Sequence, residues 1–373
     1  MRVLAFTNTP LDPTLGSGKA VLRWSEGLRA RGHEVRVVTA DEITLPRRMR
    51  RGWVWRLAFG ACWYGPGRGR EFKPDVVEFY GAEFGWLAQH WRKQPRRPLL
   101  VAHLNGLDAL AFESMHPGQL DPGRTKPRWR ALDVSCFSSV DRIAALCPAD
   151  VDYIVERGWQ PRAHCGIVEH GVDAEFLAAP PVARDQAVAF TGSWIPRKGT
   201  DTLAQVMGPL LLEDSTLRLD ILGAAPATPE AVRSLFPAAA RERVVVHGRM
   251  TSAQIAPVLF RAKVFLFPSL YEGYGLGLSE AMAAGCAAVT TPTGLGSALR
   301  DGAEAMICPF RDEETMRAAV RRLLDDDTFR ARLAAQGRAR LAAQTWPQQA
   351  AELERLYQHW LIEHRAENPA REA

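Results

Sequence analysis

Glu272 and Glu280 bracket a run of glycines, Gly273, Gly275 and Gly277, within residues 271–284. Carboxylates beside a tight glycine turn can accept hydrogen bonds from sugar hydroxyls, and the bare amides of the turn can donate to an anion. Glycine serves where the main chain must approach a ligand closely. A buried-strand run at residues 264–267 leads into the turn, and an alanine-rich helix ending at Gly285 leaves it. Glu280 then sits about one turn inside the helix, placed to accept two hydrogen bonds from a ribose diol. A second set lies at residues 190–199, where a strand runs into a loop carrying Arg197 and Lys198. Two cations beyond a strand end can offset the charge of a diphosphate. Taken singly, the first set reads equally as a glycine turn with solvated glutamates and the second as a surface loop. Their conjunction favours a site for a nucleotide sugar.

The elements that must position these residues repeat a β-loop-α-β unit. Residues 2–6 form an apolar first strand, residues 19–31 a helix closed by Gly32, and residues 34–39 the next strand. Further strands are expected at residues 75–79, 98–103, 142–146 and 165–169. The pattern breaks in a Pro/Ala-rich linker at residues 178–186. It resumes with strands at 187–191, 217–222, 244–246, 264–267, 287–290 and 305–307. Alternating strands and helices on both sides of the joint predict an α/β protein of two doubly wound, Rossmann-like domains facing across a cleft. The expected domains are residues 1–178 and 186–346, with a last helix at about 347–366 crossing back to the first.

A chain of 373 residues suits two such cores. Its net charge of +5 is mildly basic, which fits phosphate-bearing ligands but equally a surface of solvated arginines. Six cysteines are scattered without paired or metal-ligand spacing, so reduced thiols, a cytoplasmic setting and no metal ion are expected. No apolar stretch is long enough to span a bilayer. Neither a nucleic-acid module nor a long basic stripe appears, and no nucleic-acid partner is expected. Residues 47–70 interleave arginines with Trp53, Trp55, Phe59, Trp63 and Tyr64. That pattern suits a helix resting at the inner membrane face, or an amphipathic helix packing its aromatics into the core; we favour the second.

At these motifs the chain resembles glycosyltransferase family 4, the retaining nucleotide-sugar transferases of the GT-B fold. The family pattern G-R-L-x-x-x-K-G corresponds to residues 192–199, and E-G-[FY]-G-x-x-x-x-E-A-M-A-x-G to residues 272–285. The resemblance implies that Lys198 contacts the donor diphosphate. It implies that the backbone at Gly273, Tyr274, Gly275 and Leu276 holds sugar and phosphates, that Glu280 holds the ribose, and that Glu272 lies on a sugar hydroxyl near the reacting carbon. Ser193 replaces the usual arginine, so Arg197 is expected to supply that charge from a shifted position. Ala287 and Ser297 are further departures, standing where proline and glutamate are usual. In the first domain His103 ends a strand and is expected to face the cleft near the donor sugar, unless it is a satisfied core histidine. Gly16 and Gly18, with Lys19, are candidates to turn amides and an ammonium toward phosphate; Asp108 and Glu113 are weaker candidates. The expected activity is transfer of a sugar from a nucleoside diphosphate to a carbohydrate or lipid-linked acceptor. An epimerase of the same fold and a silent nucleotide-sugar-binding protein are the alternatives.

Overall fold

The computed structural model describes residues 1–46, 52–95, 97–116, 127–178 and 182–368. The chain divides into two compact units. The first comprises Met1–Glu169 with Trp346–Ala373, the second His170–Thr345.

The first unit holds β1 (Arg2–Thr7), β2 (Glu34–Thr39), β3 (Val76–Tyr80), β4 (Leu99–His103), β5 (Arg142–Ala145) and β6 (Cys165–Ile167). They form one parallel sheet in the order β2-β1-β3-β4-β5-β6. Helices join successive strands, so the central strands are covered on both faces. That is why β3 and β4 are buried at every residue. The first helix, Gly16–Ala30, begins earlier than the sequence suggests. Gly16 to Lys19 is its first turn rather than a loop. A Cβ on Gly18 would lie 2.3 Å from the Pro10 carbonyl oxygen, so glycine lets the preceding loop fold down onto the helix.

The helix Trp53–Phe72 reverses an expectation. Leu57, Ala58, Gly60, Ala61, Gly65 and Gly69 face inward, whereas Trp53, Phe59, Trp63 and Tyr64 are exposed. The neighbours come too close for large rings: a Cβ on Gly60 would meet the Ile43 carbonyl oxygen at 1.8 Å. Residues 47–51 of the arginine-aromatic stretch lie outside the described residues.

The helix Trp346–Glu367 completes the first unit. Its Tyr357 hydroxyl donates to Glu78 at 2.5 Å, and its Glu363 and Glu367 each receive the Arg142 guanidinium at 3.0 Å. Glu354 accepts from Arg31 and lies 2.8 Å from the His33 ring.

The second unit holds β7 (Asp185–Thr191), β8 (Arg218–Leu222), β9 (Val244–Val246), β10 (Ala262–Phe267), β11 (Ala287–Thr290) and β12 (Met306–Ile307). Its sheet is again parallel, in the order β12-β11-β10-β7-β8-β9. All six cysteines are free thiols, four of them buried.

Candidate functional site

In the second unit β7 and β10 are neighbours, but the chain proceeds from β7 toward β8 and from β10 toward β11. The connections leaving their carboxyl ends therefore part, opening the crevice where doubly wound sheets hold ligands. Both constellations lie there. Residues 192–199 leave β7 and close in a single turn, Pro196–Lys198, ended by Gly199 at φ +65°. A Cβ on Gly199 would sit 1.9 Å from the Pro268 carbonyl oxygen, so glycine lets this loop press against the chain leaving β10. The Leu270 amide donates to the Arg197 carbonyl at 2.8 Å and fixes the two loops together.

That contact brings Lys198 onto Glu272. The ammonium donates to Oε1 at 2.7 Å and Oε2 at 2.9 Å, and lies 5.1 Å from the centre of the Phe267 ring. Arg197 donates to the Tyr271 carbonyl at 2.8 Å and stands 3.7 Å from Glu272 Oε2. Ser193 carries no charge, so the second cation on this edge comes from Arg197. Burial alone would raise the Glu272 carboxyl. The charges of Lys198 and Arg197, with the hydrogen bonds from Lys198, overcome it and hold the group below the usual carboxylate range. Burial also lowers the Lys198 ammonium, against the opposing pull of Glu272. The pair is a buried anion clasped by two cations, leaving a net positive charge for an incoming anion.

Gly275, at φ +95°, starts the helix Leu276–Ala283 without a side-chain cap. The first amides of such a helix need an acceptor from outside it. Gly277 lets the helix start rest on the end of β7, where a Cβ would lie 3.2 Å from the Thr191 carbonyl oxygen. Tyr274 anchors the turn. Its hydroxyl donates to Gln344 at 3.0 Å, and its carbonyl accepts the Leu295 amide at 2.6 Å. Gly273 is buried beside it, and Glu280 is buried in the second turn of the helix. Sequence reasoning missed Thr293, whose hydroxyl accepts the Glu272 amide at 2.9 Å and fixes the position of that carboxylate. Its only signal is its place before Gly294, where a Cβ would meet the Tyr274 carbonyl oxygen at 2.4 Å.

Arg197, Lys198, Ser193, Glu272, Gly273, Tyr274, Gly275, Leu276 and Glu280 thus share one sheet edge. His103, Gly16 and Gly18 belong to the first unit. The His103 side chain is fully enclosed. The ring stacks on Tyr80 at 4.7 Å and lies 5.3 Å from the Trp24 ring, while Nδ1 is 2.8 Å from the Tyr80 hydroxyl. Glu113 is likewise engaged in structure, accepting from Tyr153 and Arg157.

The first unit has its own switch point, between β1 and β3. There Asn8 donates to Glu83 at 3.0 Å. Burial and the nearby charges of Asp108 and Glu83 push the Asp133 carboxyl up to about 8, and burial raises Glu83 as well. Neither Glu83 nor Asp133 belongs to a motif; the available cue for Glu83 was an acid two residues past Gly81, the glycine that follows β3.

Among the described residues no group of three or more His, Cys, Asp or Glu side chains is placed to hold a metal ion. No described helix is long and apolar enough to cross a membrane.

Two doubly wound units, one bearing a cation-lined glycine turn at its switch point, define the class: an α/β protein of the GT-B type. Residues 16–169 match the family described as Glycosyl transferase 4-like domain, and residues 185–326 match Glycosyl transferases group 1. The D-inositol 3-phosphate glycosyltransferase of Xylanimonas cellulosilytica is 30% identical over 309 residues, 76% of this chain and 71% of that one. The phosphatidyl-myo-inositol mannosyltransferase of Mycolicibacterium smegmatis is 27% identical over 96% of this chain and 94% of its own. Among solved structures, sucrose-phosphate synthase from Thermosynechococcus elongatus superposes with a TM-score of 0.79 at 18% identity, covering 97% of this chain and all of that one. The Anabaena protein HepE, solved with UDP, superposes with a TM-score of 0.70 at 15% identity, covering 96% and 100%. The chain belongs to the family-4-type glycosyltransferases.

Proposed function

We propose that this glycosyltransferase moves a sugar from a nucleoside diphosphate sugar to an acceptor hydroxyl, retaining the anomeric configuration, in the cytoplasm. The observation that carries the reading is the meeting of Lys198, Arg197 and an uncapped helix start at one switch point. Cleavage of the donor's anomeric bond leaves negative charge on the departing diphosphate. Lys198, Arg197 and the amides near Leu276 face that charge, and preorganised groups of this kind contribute on the order of 3 kcal/mol each. The protein's own cations fill this role, so the reading calls for no metal ion. Glu280 accepts from the ribose diol. Glu272 is held ionised by Lys198, which suits it to orient a sugar hydroxyl and to favour positive charge building on the ring. Retention follows the family resemblance, with the acceptor attacking the face that the diphosphate leaves.

The acceptor is a carbohydrate or a lipid-linked polyol. The acceptors in the names of two relatives, an inositol phosphate and a phosphatidylinositol, support that class. The test is a thermal-shift panel of nucleotide sugars, followed by product analysis with the donor that binds. One donor at about a hundred times its dissociation constant should stabilise by about 2.7 kcal/mol. Its product should keep the donor's anomeric configuration. No shift with any nucleotide sugar, or an epimer formed from donor alone, overturns the assignment.

A further inference from the structure

The helix Trp53–Phe72 presents to solvent what a globular helix normally buries. Its inward face is already filled by Leu57, Ala58, Ala61, the glycines between them and beyond, and Phe72 at the end. A Cβ on Gly65 would stand 2.6 Å from Leu87 and one on Gly69 2.7 Å from the Trp91 ring, so no space is left there. Trp63 is 79% exposed, and Trp53, Phe59 and Tyr64 are also exposed. At 100° per residue these four rings fall with Arg56 and Arg70 in an arc of about 140°. Trp55 and Phe59 pack against Trp86 at 5.6 and 5.1 Å, which braces the patch from beneath.

The composition of this face narrows what covers it. No aliphatic side chain of the helix is among the exposed large hydrophobics. Rings with arginines are the composition of the headgroup layer of a bilayer and are enriched in protein interfaces too, so charge decides between them. Charge agrees: residues 47–70 contain seven arginines and no acidic residue. The neighbouring Glu71, at the helix end, is paired with Arg36 at 3.3 Å. An anionic surface attracts such a stretch, and a zwitterionic one does not.

We propose that the exposed face of the helix Trp53–Phe72 seats the protein peripherally on an anionic lipid bilayer, its rings at headgroup depth and its arginines on lipid phosphates. The inference is independent of the donor assignment, because every residue it uses lies in the first unit, away from Lys198 and Glu272 in the chain.

The test is co-sedimentation of the full chain with phosphatidylcholine vesicles, with and without phosphatidylglycerol, at low and high salt. Binding should require phosphatidylglycerol and weaken with salt. The variant Trp53→Ala/Trp63→Ala/Tyr64→Ala should bind about tenfold more weakly with an unchanged melting temperature, since these rings are exposed. Equal binding of variant and parent overturns the proposal. So does absence of binding, or light scattering showing that the face instead joins two copies of the chain. Should the triple variant melt early, Trp63→Ala alone, at the most exposed ring, carries the same comparison.

Discussion

The two sheets are both parallel and six-stranded, each with a switch point, yet they finish those switch points in opposite ways. Between β7 and β10 a buried carboxylate, Glu272, is clasped by Lys198 with Arg197 nearby, and a glycine-opened helix adds bare amides. Between β1 and β3 the comparable edge gathers Glu83, Asp108 and Asp133, and the charges that raise Asp133 are those of the other two acids. One edge gathers cations that suit an anion, and the other gathers carboxyls. The sheet fixes where a ligand can sit, and the few residues after each strand fix what it can be.

The largest effect that would break this contrast comes from Lys198→Ala. It removes the cation facing the diphosphate and leaves Glu272 buried beside Arg197 alone. Turnover in a sugar-transfer assay should fall at least about a hundredfold, and near-parental rates would erase the distinction between the edges. Tyr357→Phe asks whether a buried carboxylate in the first unit also depends on its donors. Burial and Glu78 raise both the Tyr357 and Tyr80 phenols well above their ordinary range, so each stays protonated and able to donate. Losing one donor should cost about 1–3 kcal/mol in urea unfolding, with nucleotide affinity unchanged; an unchanged midpoint would show that Glu78 is satisfied without it.

Asp133→Asn gives the smallest change and the sharpest pH signature. The folded carboxyl titrates at about 8 against 3.8 for an ordinary aspartate. Between those values the folded chain keeps a proton that the unfolded chain has released. Stability from this group is therefore present below about pH 4 and is lost as pH rises toward 8. The asparagine variant should gain on the parent across that window, the two thermal-melt curves drawing apart as pH rises toward 8. A difference that stays flat with pH would mean that Asp133 is ionised and solvated.

Much of this architecture was legible because parallel strands covered on both faces must be apolar runs. Residues 34–39, 244–246 and 287–290 begin and end in the structure where the pattern of residues places them. The glycine turn was legible for a related reason: Gly275 takes a positive φ that other residues rarely adopt. The Lys198–Glu272 clasp was not, since the partners lie 74 residues apart and only the packing of Gly199 on Pro268 unites them. The helix Trp53–Phe72 misled for an instructive reason. Its rings are the largest apolar groups present, but Ile43, Leu87 and Trp91 approach so closely that glycine is required at Gly60, Gly65 and Gly69. His103 could be placed at a strand end but not oriented, because Tyr80, Trp24 and Tyr357 come from three distant segments.

The first unit is interrupted in sequence, and its helix Trp346–Glu367 is translated only after the whole second unit. A nascent chain on the ribosome therefore finishes the second unit before the first can close. Until that helix emerges, Arg142 and Glu78 wait on a sheet whose six strands are all present, without the glutamates and the tyrosine that complete them. Of the two units, the one earlier in the chain is closed after the other, and its flank stays open in the meantime.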